Sequence, residues 1–297
     1  GKWYWPDMML PSTHIVKPKP HDLPEATKVE LATMRLSELC GIDTPARGEI
    51  TAQHKTAYIV ERFDRRLEEG RIVRLRQEDF LQALGLPTRD KYDPSADDCL
   101  DLLQRIDASG SLSYRWLERL AFNTSSANSD AHAKNYSLIL DPASGIRLSP
   151  QYDAVATRYW PEFNWELTMP LNEDHAFAEH TTPPGLGGSG DTSRSRWFEG
   201  WLIWPGGMAG KVLAGISESC EGLDARMADR LNACWTKANE SIEPIMPGDG
   251  PANSVPIQHR LCPIRSVFPP RAVPSELFPG SVLTAGPVLL VRGDHAP

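Results

Sequence analysis

The stretch Asn128-Ser-Asp-Ala-His-Ala-Lys-Asn-Tyr-Ser137 is a polar loop that feeds an apolar strand, Leu138-Ile139-Leu140. A turn, Asp141-Pro-Ala-Ser-Gly145, leads to a second short strand, Ile146-Arg-Leu148, and then to Gln151-Tyr152-Asp153. Asp130 and Asn135 stand five residues apart. At that spacing a carboxylate can accept the proton of a hydroxyl nucleophile while an amide oxygen helps hold magnesium, and a further acid after a hairpin can chelate metal against phosphates. Asp153 is in that place. The same residue types also fit plainer readings. Asn, Ser, Asp and His cap the backbone locally, so the loop can be a turn and nothing more. Asp130 and His132 are both common metal ligands, but a hydrolytic centre needs further His or acidic partners at motif spacing, and none stands nearby.

The D-x-x-x-x-N spacing is that of a protein-kinase catalytic loop, and the residues upstream fall in a matching order. Gly1 to Trp5 and Ser12-Thr-His-Ile-Val-Lys17 alternate like two strands joined by a turn, the second stopped by Pro18-Lys-Pro20. Lys17 ends its strand as the phosphate-reaching Lys of V-A-I-K does, although a lone strand Lys is commonly an edge charge. Pro24 to Cys40 carries Val29, Ala32, Leu36 and Leu39 at helical spacing, with Pro24 suited to the first turn and Gly41 to the C-terminal cap. Glu30 lies in its first half, where a kinase places the Glu that aims the strand Lys; an ordinary surface Glu favoured near a helix start also fits. Tyr58-Ile-Val-Glu-Arg-Phe63 reads as a strand in the place of a hinge, with Arg71 to Leu75 returning as its hairpin partner. Helical patterns follow over Glu78 to Leu84, Ser95 to Ile106 and Leu112 to Phe122, with Ser95 and Asp98 forming a capping-box-like start. The apolar stripe of Trp116, Leu117 and Leu120 reads as core.

A formal net charge of −8 over 297 residues argues against direct binding of nucleic acid, which wants a basic face. Five scattered cysteines (Cys40, Cys99, Cys220, Cys234, Cys262) show no metal or disulfide spacing and read as reduced thiols of a cytoplasmic protein. No apolar run approaches the length of a membrane span. Beyond Leu171 the sequence changes character. Thr181 to Gly190 is a Gly/Pro linker, Trp197 to Gly207 holds three Trp without periodicity, and Lys211 to about Glu240 is again amphipathic and helical. From Pro244 about a fifth of the residues are Pro, the compositional mark of disorder.

With Lys17, Val60-Glu-Arg-Phe-Asp-Arg65, Asn128-x-Asp-x-His-Ala-Lys-Asn135 and Ser149-Pro-x-Tyr-Asp153 in order, the chain resembles the HipA family, bacterial serine/threonine kinases that act as toxins beside HipB-type antitoxins. Ser12 to Pro18, Gln77-Glu-Asp-Phe-x-Gln-Ala-Leu-Gly85 and Lys91-Tyr92 support the match, which covers about residues 1–171 and more weakly 195–243. The resemblance implies an α+β, protein-kinase-like two-lobed fold: a small, partial β-sheet lobe over 1–66 and a mainly helical lobe with the catalytic loop over 67–171. Residues 172–243 would form a divergent linker and helical remnant, and 244–297 a disordered tail. It implies ATP and Mg2+ as cofactors, with Asp130 as catalytic base, Asn135 and Asp153 as magnesium ligands and Lys17 as the phosphate lysine. Glu61 and Phe63 would line the adenine pocket, with His132, Lys134 and Tyr152 close to the nucleotide. A protein substrate and a HipB-type antitoxin are the implied partners.

The sequence departs from the family at Val29, where Asn is usual, and at Ala127, where Gly usually opens the catalytic loop. The family's Gly/Ser phosphate-covering loop would precede Gly1, so the chain reads as a fragment. The alternative to a kinase is therefore a non-catalytic pseudokinase or antitoxin-binding remnant. The tail matches nothing in the family, the pattern a frame change would produce.

Overall fold

Burial of one face organises the first helix, α1 (Ala26–Leu39). Val29, Met34 and Leu36 are fully buried and Ala32 nearly so, while Gly41, at φ +83°, closes the helix with Ile42 N–H donating to the Ser37 carbonyl at 3.1 Å. A computed structural model describes residues 3–4, 11–52, 55–163, 166–171, 174–176, 207–240 and 289–292. All of these fall in one unit formed by residues 1–244 and 287–297, and a second unit, 245–286, lies outside the described residues. So do the Gly/Pro linker and the Trp-rich segment of the sequence reading.

Five antiparallel strands form the sheet beside α1: β1 (Trp3–Tyr4), β2 (His14–Pro18), β3 (Arg47–Ala52), β4 (Lys55–Glu61) and β12 (Leu289–Arg292), in the spatial order β1-β12-β2-β4-β3. The register sets Lys17 opposite Tyr58. A separate hairpin joins β5 (Arg65–Glu68) to β6 (Arg71–Arg74). A three-stranded sheet, β7 (Arg76–Asp79), β8 (Ser137–Asp141) and β9 (Gly145–Leu148), carries the predicted post-loop hairpin. The last pair is β10 (Glu166–Leu171) with β11 (Asp174–Ala176).

The helices are α2 (Phe80–Ala83), α3 (Ala96–Ile106), α4 (Ser111–Ser125), α5 (Met208–Ser219) and α6 (Ala225–Glu240). Their core centres on Phe80, Trp116 and Tyr136, whose ring centroids lie 5.7 to 6.2 Å apart, within the range in which tilted aromatic pairs attract. Among the described residues no helix is long and apolar enough to cross a membrane.

Several sequence expectations change. The two N-terminal strands are not a hairpin, because β12 lies between them. Leu289-Leu-Val-Arg292 opens on an apolar, β-prone run, so the expectation of a structureless tail does not hold at these four residues. Arg71 to Arg74 pairs with β5 and not with the strand ending at Glu61, whose partners are β2 and β3. Glu78 and Asp79 lie in β7 and only the next four residues are helical, with Asp79 capping them through Gln82. β3 is unforeseen, since Arg47-Gly-Glu-Ile-Thr-Ala52 has little β signature. The helical stretch from Lys211 is two helices, broken at Gly222 (φ +82°).

The helical pair docks against α1 and the end of α4, just before the loop that starts at Asn128. Gly215 of α5 faces α1 so closely that a Cβ there would stand 2.9 Å from Leu36. Trp235 of α6 is fully buried and donates from Nε1 to the Ser126 carbonyl at 3.0 Å, and Asn239 donates to Ser125 at 2.9 Å. Trp235→Ala removes both a buried ring and a donor to a buried carbonyl. A loss of about 3–5 kcal/mol is expected, read as a lower urea midpoint at unchanged slope; an unchanged midpoint would show that α6 adds nothing to the core.

Candidate functional site

The end of α4 aims the loop. Ala127 takes φ +58°, and Asn128 N–H donates to the Asn123 carbonyl at 2.9 Å, a closure that normally uses Gly. An L-residue in that conformation costs about 1 kcal/mol, which explains why Gly suits this position. Ser129 is then held from three directions: its N–H (2.9 Å) and Oγ (2.7 Å) meet Thr157 Oγ1, and its carbonyl accepts from Thr168 Oγ1 at 2.7 Å. Asp130 follows, exposed, and accepts a hydrogen bond from the Tyr92 hydroxyl at 3.1 Å.

Beneath the loop Asn123 is a buried hub. Its amide donates to the Tyr136 hydroxyl at 2.8 Å and its oxygen accepts from Asn128 at 3.0 Å and Gln151 at 3.4 Å. This ties helix, loop and the segment after the hairpin together. Thr33 of α1 reaches the same segment, its Oγ1 accepting from Ala156 N–H at 3.1 Å.

The charged centre joins three elements. Lys17 Nζ donates to Glu30 Oε1 at 2.7 Å and also contacts Asp153 Oδ1. Asn135 Nδ2 donates to Asp153 Oδ2 at 3.0 Å, and its Oδ1 accepts from His132 N–H at 3.0 Å. Asp153 itself sits at φ +58°, a strained backbone of the kind that persists where the surroundings over-determine it. Two carboxylates thus share one ammonium. Burial alone would lower the Lys17 pKa, but the two acids win and raise it. Burial opposes the ionisation of Asp153, yet Lys17 holds its carboxyl below the ordinary value. Glu30, more deeply buried, is pushed from 4.5 up to about 7, because burial outweighs its attraction to Lys17.

Lys17, Glu30, Asp130 and Asp153 line one cavity of about 560 Å³. The other predicted residues do not line it. Glu61 is exposed at the end of β4, and Phe63 packs on Tyr152 with ring centroids 5.2 Å apart. Tyr152 contacts Ser137 Oγ at 2.6 Å and donates to the Lys134 carbonyl at 2.7 Å. Lys134 points to Asp79, 3.2 Å away. His132 is buried against the Tyr92 ring at 5.3 Å; its Nδ1 meets no polar partner, and burial holds its pKa down against the charge of Asp130. In Val60 to Arg65 the acid is structural: Asp64 binds Arg62 at 2.6 and 2.9 Å and Arg65 at 2.6 Å, while Arg65 also holds the Ser12 carbonyl.

Asp153, half-exposed to the cavity, presents a carboxylate, while Asn135 turns its amide nitrogen to Asp153 and its oxygen to the His132 N–H. Hard oxygen ligands completed by phosphates and water suit magnesium, so Asp153 fits the ion as it stands and Asn135 fits it once its amide is turned over. Among the described residues no group of three His, Cys, Asp or Glu could hold a metal, which leaves the Asp130/His132 hydrolytic centre without partners. Sequence reasoning assigned no role to Tyr92, Asn123, Thr157 or Thr168. Only their tertiary partners show what they do, apart from Tyr92, whose Lys91-Tyr92 pair carries a family signal.

The Glu30 shift has a definite sign. Unfolded chain ionises Glu30 near 4.5 while the folded chain keeps the proton to about 7, so the native state binds more protons in that window and this group's contribution to stability falls as pH rises through it. Glu30→Gln should flatten that part of the stability–pH curve, measured by urea unfolding at intervals from pH 4.5 to 7.5. An unchanged slope would place the titration elsewhere.

Residues 6–197 match the family described as the HipA-like C-terminal domain. The serine/threonine-protein kinase toxin HipA of Shewanella oneidensis is 32% identical over 183 residues, covering 56% of this chain and 41% of that protein. The Sinorhizobium fredii protein Y4mE is 34% identical over 174 residues, covering 57% and 41%. The chain therefore spans about two fifths of the length of these relatives. Among solved structures, a chain of the Shewanella oneidensis HipA, HipB and operator DNA complex superposes with a TM-score of 0.62 at 24% identity, covering 77% of this chain and 57% of that one. The Helicobacter pylori proinflammatory kinase CtkA gives 0.58 at 12% identity, covering 78% and 88%. At these identities the structural likeness speaks for the fold, which is α+β and kinase-like. The match over 6–197 runs past the Leu171 limit read from the motifs and covers more than half of the residues, so the chain belongs to the HipA-like C-terminal domain family.

Proposed function

We propose that this chain binds ATP with magnesium and transfers the terminal phosphoryl group to a serine or threonine hydroxyl of a protein. The observation that carries this reading is the convergence of Lys17, Glu30, Asp130 and Asp153 on one cavity, with Asn135 bonded to Asp153. Lys17, aimed by Glu30, would pair with phosphate oxygens. Asn135 and Asp153 would hold the magnesium ion, which neutralises phosphate charge when bound. Asp130, in no ion pair among the described residues and facing the cavity, orients the acceptor hydroxyl and takes its proton as the new oxygen–phosphorus bond forms and the bond to the leaving ADP breaks. Positioning and charge neutralisation supply most of the acceleration in such chemistry. The adenine contacts assigned to Glu61 and Phe63, and the nearby places of His132, Lys134 and Tyr152, belong to the same proposal. None of the five lines the cavity, and only Phe63 and Tyr152 are packed on each other, with Tyr152 next to Asp153 in the chain.

A HipB-type antitoxin is the proposed partner and the cytoplasm the proposed location, the former resting on the HipA likeness and the latter on the free thiols of Cys40, Cys99, Cys220 and Cys234. Co-elution with a HipB-type protein from the same genome checks the first. Separate elution would remove that partner.

One observation favours the second reading, a non-catalytic pseudokinase. Both Asp153 oxygens already accept from donors, Lys17 and Asn135, which gives the carboxylate partners without any metal. Two variants divide the readings. Asp130→Asn should abolish transfer, a loss on the order of 10²–10⁴ in rate, with little change in the thermal shift caused by millimolar Mg-ATP. Asp153→Asn should lose both transfer and most of that shift. A wild type stabilised by Mg-ATP that transfers nothing makes the chain a pseudokinase; near-wild-type transfer by Asp130→Asn removes the role given to the loop.

A further inference from the structure

The cavity has two chemically different ends. Lys17, Glu30, Asp130 and Asp153 make one, and Pro20, Leu23, Val155, Trp160 and Phe163 make the other. The mechanism uses only the first.

The apolar end is a built feature. Trp160 is 4% exposed, donates from Nε1 to the Pro24 carbonyl at 3.1 Å, and packs edge-on against Tyr159 and Phe163 at 5.2 and 6.3 Å. Tyr159 is fixed in turn by Glu25 and by Arg230, whose guanidinium lies 4.2 Å from its ring centre. Phe163, by contrast, is 40% exposed at the cavity. A large aromatic ring left open against an anchored Trp is a surface that lacks its apolar complement.

The two ends are continuous. Thr157 and Thr168 line the cavity between them and are the residues that hold Ser129, directly before Asp130. Thr157 is also three residues before Trp160. One short run of chain therefore supports both the acid and the aromatic wall.

We infer that the apolar end is an acceptor subsite: it takes a bulky apolar side chain of the protein segment whose hydroxyl is presented to Asp130. This rests on the phosphoryl-transfer reading for the role of the hydroxyl, and on the cavity alone for the binding. A cavity of about 560 Å³ is on the order of 10 Å across, about three residues of extended chain. The apolar residue thus lies within two positions of the serine or threonine. The charged end disfavours an acidic residue there, because Asp130 and Asp153 outnumber Lys17.

Binding separates this inference from catalysis. Short peptides carrying Ala in place of the acceptor Ser, and Leu, Phe, Gly or Asp at the flanking positions, are titrated into the full chain and followed by calorimetry. Leu and Phe peptides should bind at least about 10-fold more tightly than Gly or Asp peptides, the discrimination expected of an apolar pocket. Phe163→Ala should erase that preference while leaving the Mg-ATP thermal shift in place, and Phe163→Leu should restore part of it. Where the Ser versions are phosphorylated, the effect should fall on the peptide KM and leave the KM for ATP unchanged. Equal binding of all peptides, no binding of any, or a preference untouched by Phe163→Ala overturns the subsite. That includes the case in which a segment of this chain already covers the wall. A wild type that prefers apolar peptides but transfers no phosphate keeps the subsite and overturns the kinase reading.

Discussion

The ammonium of Lys17 is shared between Glu30 and Asp153, and that single sharing joins the strand β2, the helix α1 and the segment after the β8–β9 hairpin. None of the three elements holds its place through this contact by burial alone. β2 is set by its register against β4, α1 by its buried face, and Asp153 by the strained backbone at φ +58° and the bond from Asn135. Because two acids face one base, the cluster carries a surplus of acid, and burial raises the pKa of Glu30, the more deeply buried of the two. A cation arriving at Asp153 would compete with Lys17 for the same oxygen, so the state of Glu30 and the occupancy of the Asp153 oxygens are linked.

Much of this was legible in the residues. The Lys17, Glu30, Asp130, Asn135, Asp153 order follows from short motifs whose spacing fixes the local geometry, and α1, α3 and α4 from strong helical periodicity with caps at Gly41 and Ser95. What failed to show was what depends on distant partners. Arg47 to Ala52 becomes a strand because β4 offers it a ladder, not through its own propensity. Glu78 and Asp79, good helix-start residues, are drawn into a strand by Leu138 and Ser137. Asn123, Thr157 and Thr168 look like ordinary polar residues until their hydrogen bonds to the loop are drawn.

The motif residues also divide by task once their contacts are known. In Val60 to Arg65, Asp64 and both arginines form a part-buried ion cluster that fixes the chain leaving β4. In the loop from Asn128 the framework is neutral amides and hydroxyls around Asn123 and Ser129, which leaves Asp130 as the exposed charge. A polar frame bonded within itself can hold an acid at the surface without adding charge beside it.

The strand Leu289–Arg292 pairs with His14 and Ile15, residues nearly the whole chain away. During synthesis β12 emerges only after every other described element. Until then the edge of the strand that carries Lys17 presents unpaired amides and carbonyls, a template for pairing with other chains. Such distant pairings are also the slow ones to form, since closing a long loop comes before any contact rewards it. The nascent protein therefore passes through an interval in which the strand that carries Lys17 lacks the β12 side of its ladder.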